Sequence, residues 1–88
     1  MPLNLYSDVY ASGSVPQGWT PSRGGTLKYP VRNHAVLREL RRLRAGRWKK
    51  VIKQGNFGEV HYFEHKSGCV AGVKFFVTVQ PVSSRRDG

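Results

Sequence analysis

The chain has one cysteine, Cys69, so it cannot form an internal disulfide. With no second cysteine and no CxxC pair, neither a structural zinc site nor any other metal or cofactor is expected. Such a chain suits a reducing, cytoplasmic compartment. No apolar run approaches the roughly 20 residues needed to span a bilayer. The opening stretch MPLNLYSDVYASG lacks a basic segment followed by an apolar one, so no signal peptide is expected. The glycine patterns of nucleotide-phosphate loops are missing. No second helix stands before the one predicted helix, which excludes a helix-turn-helix.

Acidic residues are also scarce. Five Asp and Glu stand against fifteen Lys and Arg, for a formal net charge of +10. A domain charged in this way attracts polyanions and is steered toward them. RNA, another nucleic acid or an acidic protein surface are the expected partners. A membrane is not, because arginines rather than bulky aromatics surround the predicted helix. The bland alternative is a basic protein with no polyanionic partner.

The 88 residues fit one small domain, which buries roughly 60–65% of its surface on folding. Residues 1–25 are rich in Gly, Ser, Pro and Thr and are expected to be irregular, with turns at 16–18 and 23–25. Residues 26–80 form the expected compact unit, and 81–88 a disordered tail. The first 30 residues are expected to add little to the core, although Trp19, Leu27 and Tyr29 can pin parts of that segment. A core of about 50 residues implies a stability at or below about 5 kcal/mol.

The fold class expected is α+β, with one amphipathic helix packed on a three-stranded antiparallel meander. Asn33 suits an N-cap and Gly46 a C′ position. Between them Val36, Leu40 and Leu43 recur at helical spacing, with Leu37 beside them. Arg38, Arg41, Arg42 and Arg44 fall mainly on the other faces. Strands are expected in RWKKVIKQ, GEVHYFEH and CVAGVKFFVTV, with turns at Gly55–Asn56 and Lys66–Ser67–Gly68. An extra edge strand at 26–29 is allowed by the alternation in TLKYPV and ended by Pro30.

Pairing Glu64 with Cys69 would put Tyr62 opposite Ala71 and Val60 opposite Val73. Val51, Val60, Tyr62 and Phe75 would then share an apolar face that receives the helix. Glu59, His61 and Phe63 would take the other face. On it Glu59 would lie opposite Lys74, and His61 opposite Gly72 and beside Lys50. This register groups the aliphatic residues and gives Glu59 a cationic neighbour. His61 is then the candidate general acid or base, Glu59 its partner, and Lys74 and Lys50 the groups that hold phosphate. Gly72 would leave room for substrate. The helix arginines 38, 41, 42 and 44 would hold an RNA backbone, and the exposed aromatics would stack bases. The bland alternative is a solvated face with a Glu–Lys pair. His65 is expected in solvent, His34 at the helix start, and Cys69 as a small apolar residue.

The layout of NHAVLRELRRLRAGRWKKVIKQGNFGEVHYFEHKSGCVAGVKFF, a helix followed by antiparallel strands, resembles the C-terminal toxin domains of bacterial polymorphic toxin systems. It is similar to the ribonuclease group that includes barnase, colicin and RelE-type toxins, over about residues 26–79. That resemblance implies RNA cleavage without a metal and an acidic immunity or antitoxin partner, with His61 as the strand-central histidine. The expected function is thus a small basic RNA-directed protein, either a metal-independent ribonuclease toxin or a non-catalytic module that binds nucleic acid or an acidic protein.

Overall fold

The structure, a computed structural model, describes residues 3–78. Its elements are β1 (Leu5–Tyr6), a short 3-10 helix (Tyr10–Ser12), β2 (Pro21–Pro30), α1 (His34–Leu43), β3 (Trp48–Gly55), β4 (Gly58–His65) and β5 (Val70–Val77). The fold is α+β, one α-helix with one antiparallel sheet of five strands in the order β1-β5-β4-β3-β2. The expected meander is the centre of this sheet. The expected edge strand exists as β2, ten residues long. The segment expected to be irregular supplies β1 and the start of β2. The expected tail, 81–88, lies outside the described residues.

Asn33 caps α1 as its sequence position suggests. Its Oδ1 accepts the backbone N–H groups of Ala35 (3.0 Å) and Val36 (3.2 Å). Gly46 is not the C′ residue. The helix ends at Leu43, and Arg44 is already extended at φ −157°. Gly46 has φ +124°, and a Cβ there would meet His65 Nε2 at 2.8 Å. It is glycine because of what packs beside it as well as for its backbone.

The strand registers differ from the expected ones in an ordered way. The β3–β4 turn is Asn56–Phe57, so Val51 faces Tyr62 and Lys50 faces Phe63. In β4–β5, Glu64 faces Val70 and Phe63 faces Ala71, whereas His61 faces Lys74 and Val60 faces Phe75. Between these pairs Gly72 and Val73 both lie against Tyr62, a bulge opened by Gly72 at φ +62°. The bulge returns Val73 and Phe75 to the face of Val60 and leaves Ala71 and Lys74 on the other. Glu59 therefore faces Phe76, not Lys74, and His61 faces Lys74, not Gly72.

The two faces have different covers, and the assignment of the helix is reversed. Val51, Val60, Tyr62 and Val70 are buried under Val9 and Trp19 of the N-terminal segment. The helix packs on the opposite face, where Leu40 meets Trp48, Ala71 and half-buried Phe63. Short links fix the end of the sheet that the helix covers. Three residues join β2 to α1 and four join α1 to β3, which ties the helix to the Pro30–Trp48 end of the sheet. Ten helical residues span only about 15 Å, whereas eight strand residues run about 26 Å. Half of that face stays open.

Besides the β1–β5 pairing and buried Val9, the N-terminal segment is anchored by Trp19. Trp19 is 3% exposed and its Nε1–H donates to the Gly58 carbonyl at 2.9 Å. A Cβ on Gly55 would collide with the indole. The Asn56 side chain accepts from the Thr20 amide and donates to the Gly18 carbonyl, both at 2.9 Å. The GNFG turn is thus a seat for Trp19 as well as a hairpin.

Candidate functional site

On the helix-bearing face the register sets side chains in rows across the strands. Tyr29, Lys50, Phe63 and Ala71 form one row, and Leu27, Ile52, His61 and Lys74 the next. Glu59 and Phe76 follow. Successive rows are about 6.8 Å apart along the strands. The helix covers the Trp48 end, so His61, Lys74 and Phe76 lie on the open half.

His61 and Glu59 are two apart on β4 and share a face. His61 Nε2 lies 3.0 Å from Glu59 Oε1. A carboxylate only accepts, so Nε2 carries the hydrogen and the neutral ring keeps its Nδ1 lone pair free. The ring also packs edge-on against Phe76, with centroids 4.6 Å apart. A cavity of about 130 Å³ beside it is bordered by Lys50, Phe63, Lys74 and Phe76 as well as His61. The structure thus brings His61, Glu59, Lys50 and Lys74 onto one face as expected, with Lys74 opposite His61. Gly72 borders the same cavity, although it does not face His61. Leu3 and the Phe63 ring stand 2.9 Å and 3.0 Å from where a Cβ would be.

The helix arginines are not part of this cavity. Arg38, Arg41 and Arg42 border a depression of their own with His34 and Leu37. Arg41 Nε–H donates to the Gly46 carbonyl, and Arg42 makes an exposed ion pair with Glu39 at 3.4 Å. Arg44 lies past the end of the helix. The four form no single ridge.

His65, expected in solvent, is 4% exposed. Its Nδ1 accepts the Ser67 amide at 3.1 Å, so its Nε2–H donates to the Ala45 carbonyl at 2.7 Å. Its ring lies edge-on to Trp48 at 5.0 Å. It is a structural staple between the helix–β3 link and the β4–β5 turn. The signal for it in sequence is slight: a histidine two residues before a serine, at a turn closed by Gly68.

A larger cleft, of about 560 Å³, went unnoticed in the sequence. It lies between the end of β2 and the first turn of α1, bordered by Tyr29, Val31, Arg32, Val36, Lys50 and Phe63. Its residues come from four separate segments, so no local pattern could reveal it. Among the described residues no three His, Cys, Asp or Glu side chains converge on a point that could hold a metal ion. No described helix is long and apolar enough to cross a membrane. Of the described Lys and Arg side chains, only Lys28 and Arg42 have a carboxylate partner.

No protein-family model, curated protein or solved structure matches this chain.

Proposed function

We propose that this is an RNA-directed protein that binds single-stranded RNA along the open half of its helix-bearing sheet face. The observation that carries the reading is the alternation of cations and rings on that face: Lys50 beside Tyr29 and Phe63, then His61 and Lys74, then Phe76. Backbone phosphate wants the first kind of group and unstacked bases the second. The chain's +10 charge supports the same partner, and Arg38, Arg41 and Arg42 extend the attraction beyond the face. With about six phosphate contacts, affinity for a single-stranded RNA should fall by roughly 300-fold between about 50 and 200 mM salt. Fluorescence anisotropy of a labelled oligoribonucleotide measures this. Binding that ignores salt, or that is stronger for an acidic protein than for RNA, would replace RNA as the partner.

A second reading, metal-independent cleavage, is favoured by the His61–Glu59 hydrogen bond with Lys74 opposite. Glu59 holds Nε2 and so aims the ring, leaving Nδ1 to take the proton of a ribose 2′-hydroxyl. The 2′-oxygen then attacks the adjacent phosphorus and the bond to the 5′-oxygen breaks; that oxygen takes a proton from water, and His61 later returns the proton it accepted to solvent. The products are a 2′,3′-cyclic phosphate and a 5′-hydroxyl. Lys50 and Lys74 offset the charge that develops on phosphate. In a host cell this activity would call for an acidic immunity or antitoxin protein. Total RNA incubated with and without EDTA tests it. Cleavage should persist in EDTA, and His61→Ala should lower it by about 10²–10⁴-fold while RNA affinity stays near wild type. A wild type that binds RNA and never cuts it leaves the binding module as the function.

A further inference from the structure

We propose that the cleft between the end of β2 and the first turn of α1 is a nucleobase subsite, which takes one unstacked base of the RNA whose backbone runs past His61. The inference rests on the RNA-directed reading and deepens it by saying where a base goes. The cleft, about 560 Å³, falls within the range of sites for small molecules of nucleotide size. Its lining is mostly apolar, with the rings of Tyr29 and Phe63 among it. Arg32 and Lys50 are its only charged residues, and no carboxylate borders it. A flat apolar group joined to an anion satisfies all of these features at once.

Position strengthens the choice. Lys50 and Phe63 border both this cleft and the cavity beside His61. Tyr29, Lys50 and Phe63 occupy one row of the sheet, and His61 and Lys74 the next. One row step, about 6.8 Å, is of the order of the step between successive nucleotides in an extended strand. A base in the cleft therefore sets its own phosphate at Lys50 and the next one at His61 and Lys74. The helix start does not hold the phosphate, because Asn33 Oδ1 already takes the Ala35 and Val36 amides. Tyr29, 46% exposed on the edge strand, is left as the ring on which a base can stack.

The test compares wild type, Tyr29→Ala and Tyr29→Phe against two probes: a seven-nucleotide RNA of mixed sequence, and inorganic polyphosphate as a charge-only polymer. Tyr29→Ala should bind the RNA about tenfold more weakly, as expected for one lost base–aromatic stack. Tyr29→Phe should restore the affinity, and polyphosphate should bind all three alike. A companion measurement uses wild type alone. The same RNA carrying 5-iodouracil, irradiated on the protein, should crosslink at Tyr29. RNA bound equally by wild type and Tyr29→Ala, or crosslinks confined to Phe76 and the helix, would overturn the subsite and leave RNA binding standing. A wild type that binds RNA no more tightly than polyphosphate of equal charge would overturn both.

Discussion

His65 and Tyr62 show how polar atoms are handled in a core this small. Burying the imidazole at its hydrogen-bonding capacity is tolerable, whereas leaving one ring nitrogen unmatched costs the desolvation of that atom. His65→Ala removes the bonds to the Ser67 amide and hydroxyl and to the Ala45 carbonyl, orphans that carbonyl and uncovers Trp48. A loss of about 2–3 kcal/mol is expected, read as a drop in the urea midpoint at unchanged slope. Tyr62 is the group whose ionisation the fold resists. Burial, reinforced by Glu64 and Tyr10, pushes its hydroxyl up from 10.0 to about 12. The folded state then holds a proton that the unfolded chain gives up near 10. Stability from this source is intact below about pH 10 and is lost between about 10 and 12. Denaturation followed across that window should show the decline, and Tyr62→Phe should flatten it. His61, in contrast, is half-buried on the open half of its face, and His61→Ala should cost about 1 kcal/mol or less.

At the scale of elements, the helix is held through few contacts, so each one counts. Leu40 is fully buried and stands between Trp48 and Ala71. Leu40→Ala should cost about 2–4 kcal/mol, and Asn33→Ala about 1 kcal/mol through the lost cap. Thermal melts by circular dichroism distinguish the two, and a Leu40 variant that melts like the parent would be at odds with the packing described. The helix itself was legible because an N-cap, an apolar 3–4 spacing and a run of arginines agree over eleven residues. Its destination was not. The apolar set Val51, Val60 and Tyr62 is the more inviting face in sequence, but Val9 and Trp19 of the N-terminal segment cover it and the helix lies on the other. The β5 register was hidden for a different reason. A single glycine bulge shifts pairing by one residue, and alternation alone cannot report an insertion that also restores the alternation beyond it.

At the scale of the molecule, the sheet is buried on both faces, by the helix over half of one and by the N-terminal segment over the other. Trp19 carries the second cover. Trp19→Ala should cost about 3–5 kcal/mol, close to the whole stability of a domain this size. Largely unfolded protein at 25 °C, or a dye-binding apolar face where folding survives, is the expected result by fluorescence. The charge acts on the whole as well. With a net charge of +10 and only two described Lys or Arg side chains paired with a carboxylate, self-repulsion opposes compaction. Raising salt from about 20 to 300 mM shortens the Debye length below about 10 Å, so the melting temperature should rise over a range where RNA affinity falls.

Local rules in the chain determined the α+β class, the helix and its cap, the central hairpins and the strong basic charge, because each depends on residues within about ten positions of one another. They also put Glu59, His61 and Phe63 on one face, since strand alternation needs no partner. Tertiary structure alone decided that Trp19 belongs to the core, that His65 is buried, that Lys74 rather than Gly72 faces His61, and that a cleft opens at Tyr29. Those outcomes depend on one bulge and on contacts between residues far apart in the chain, such as Trp19 and Gly58, 39 positions apart. Residues so far apart meet only after loop closure has been offset by burial of the whole sheet.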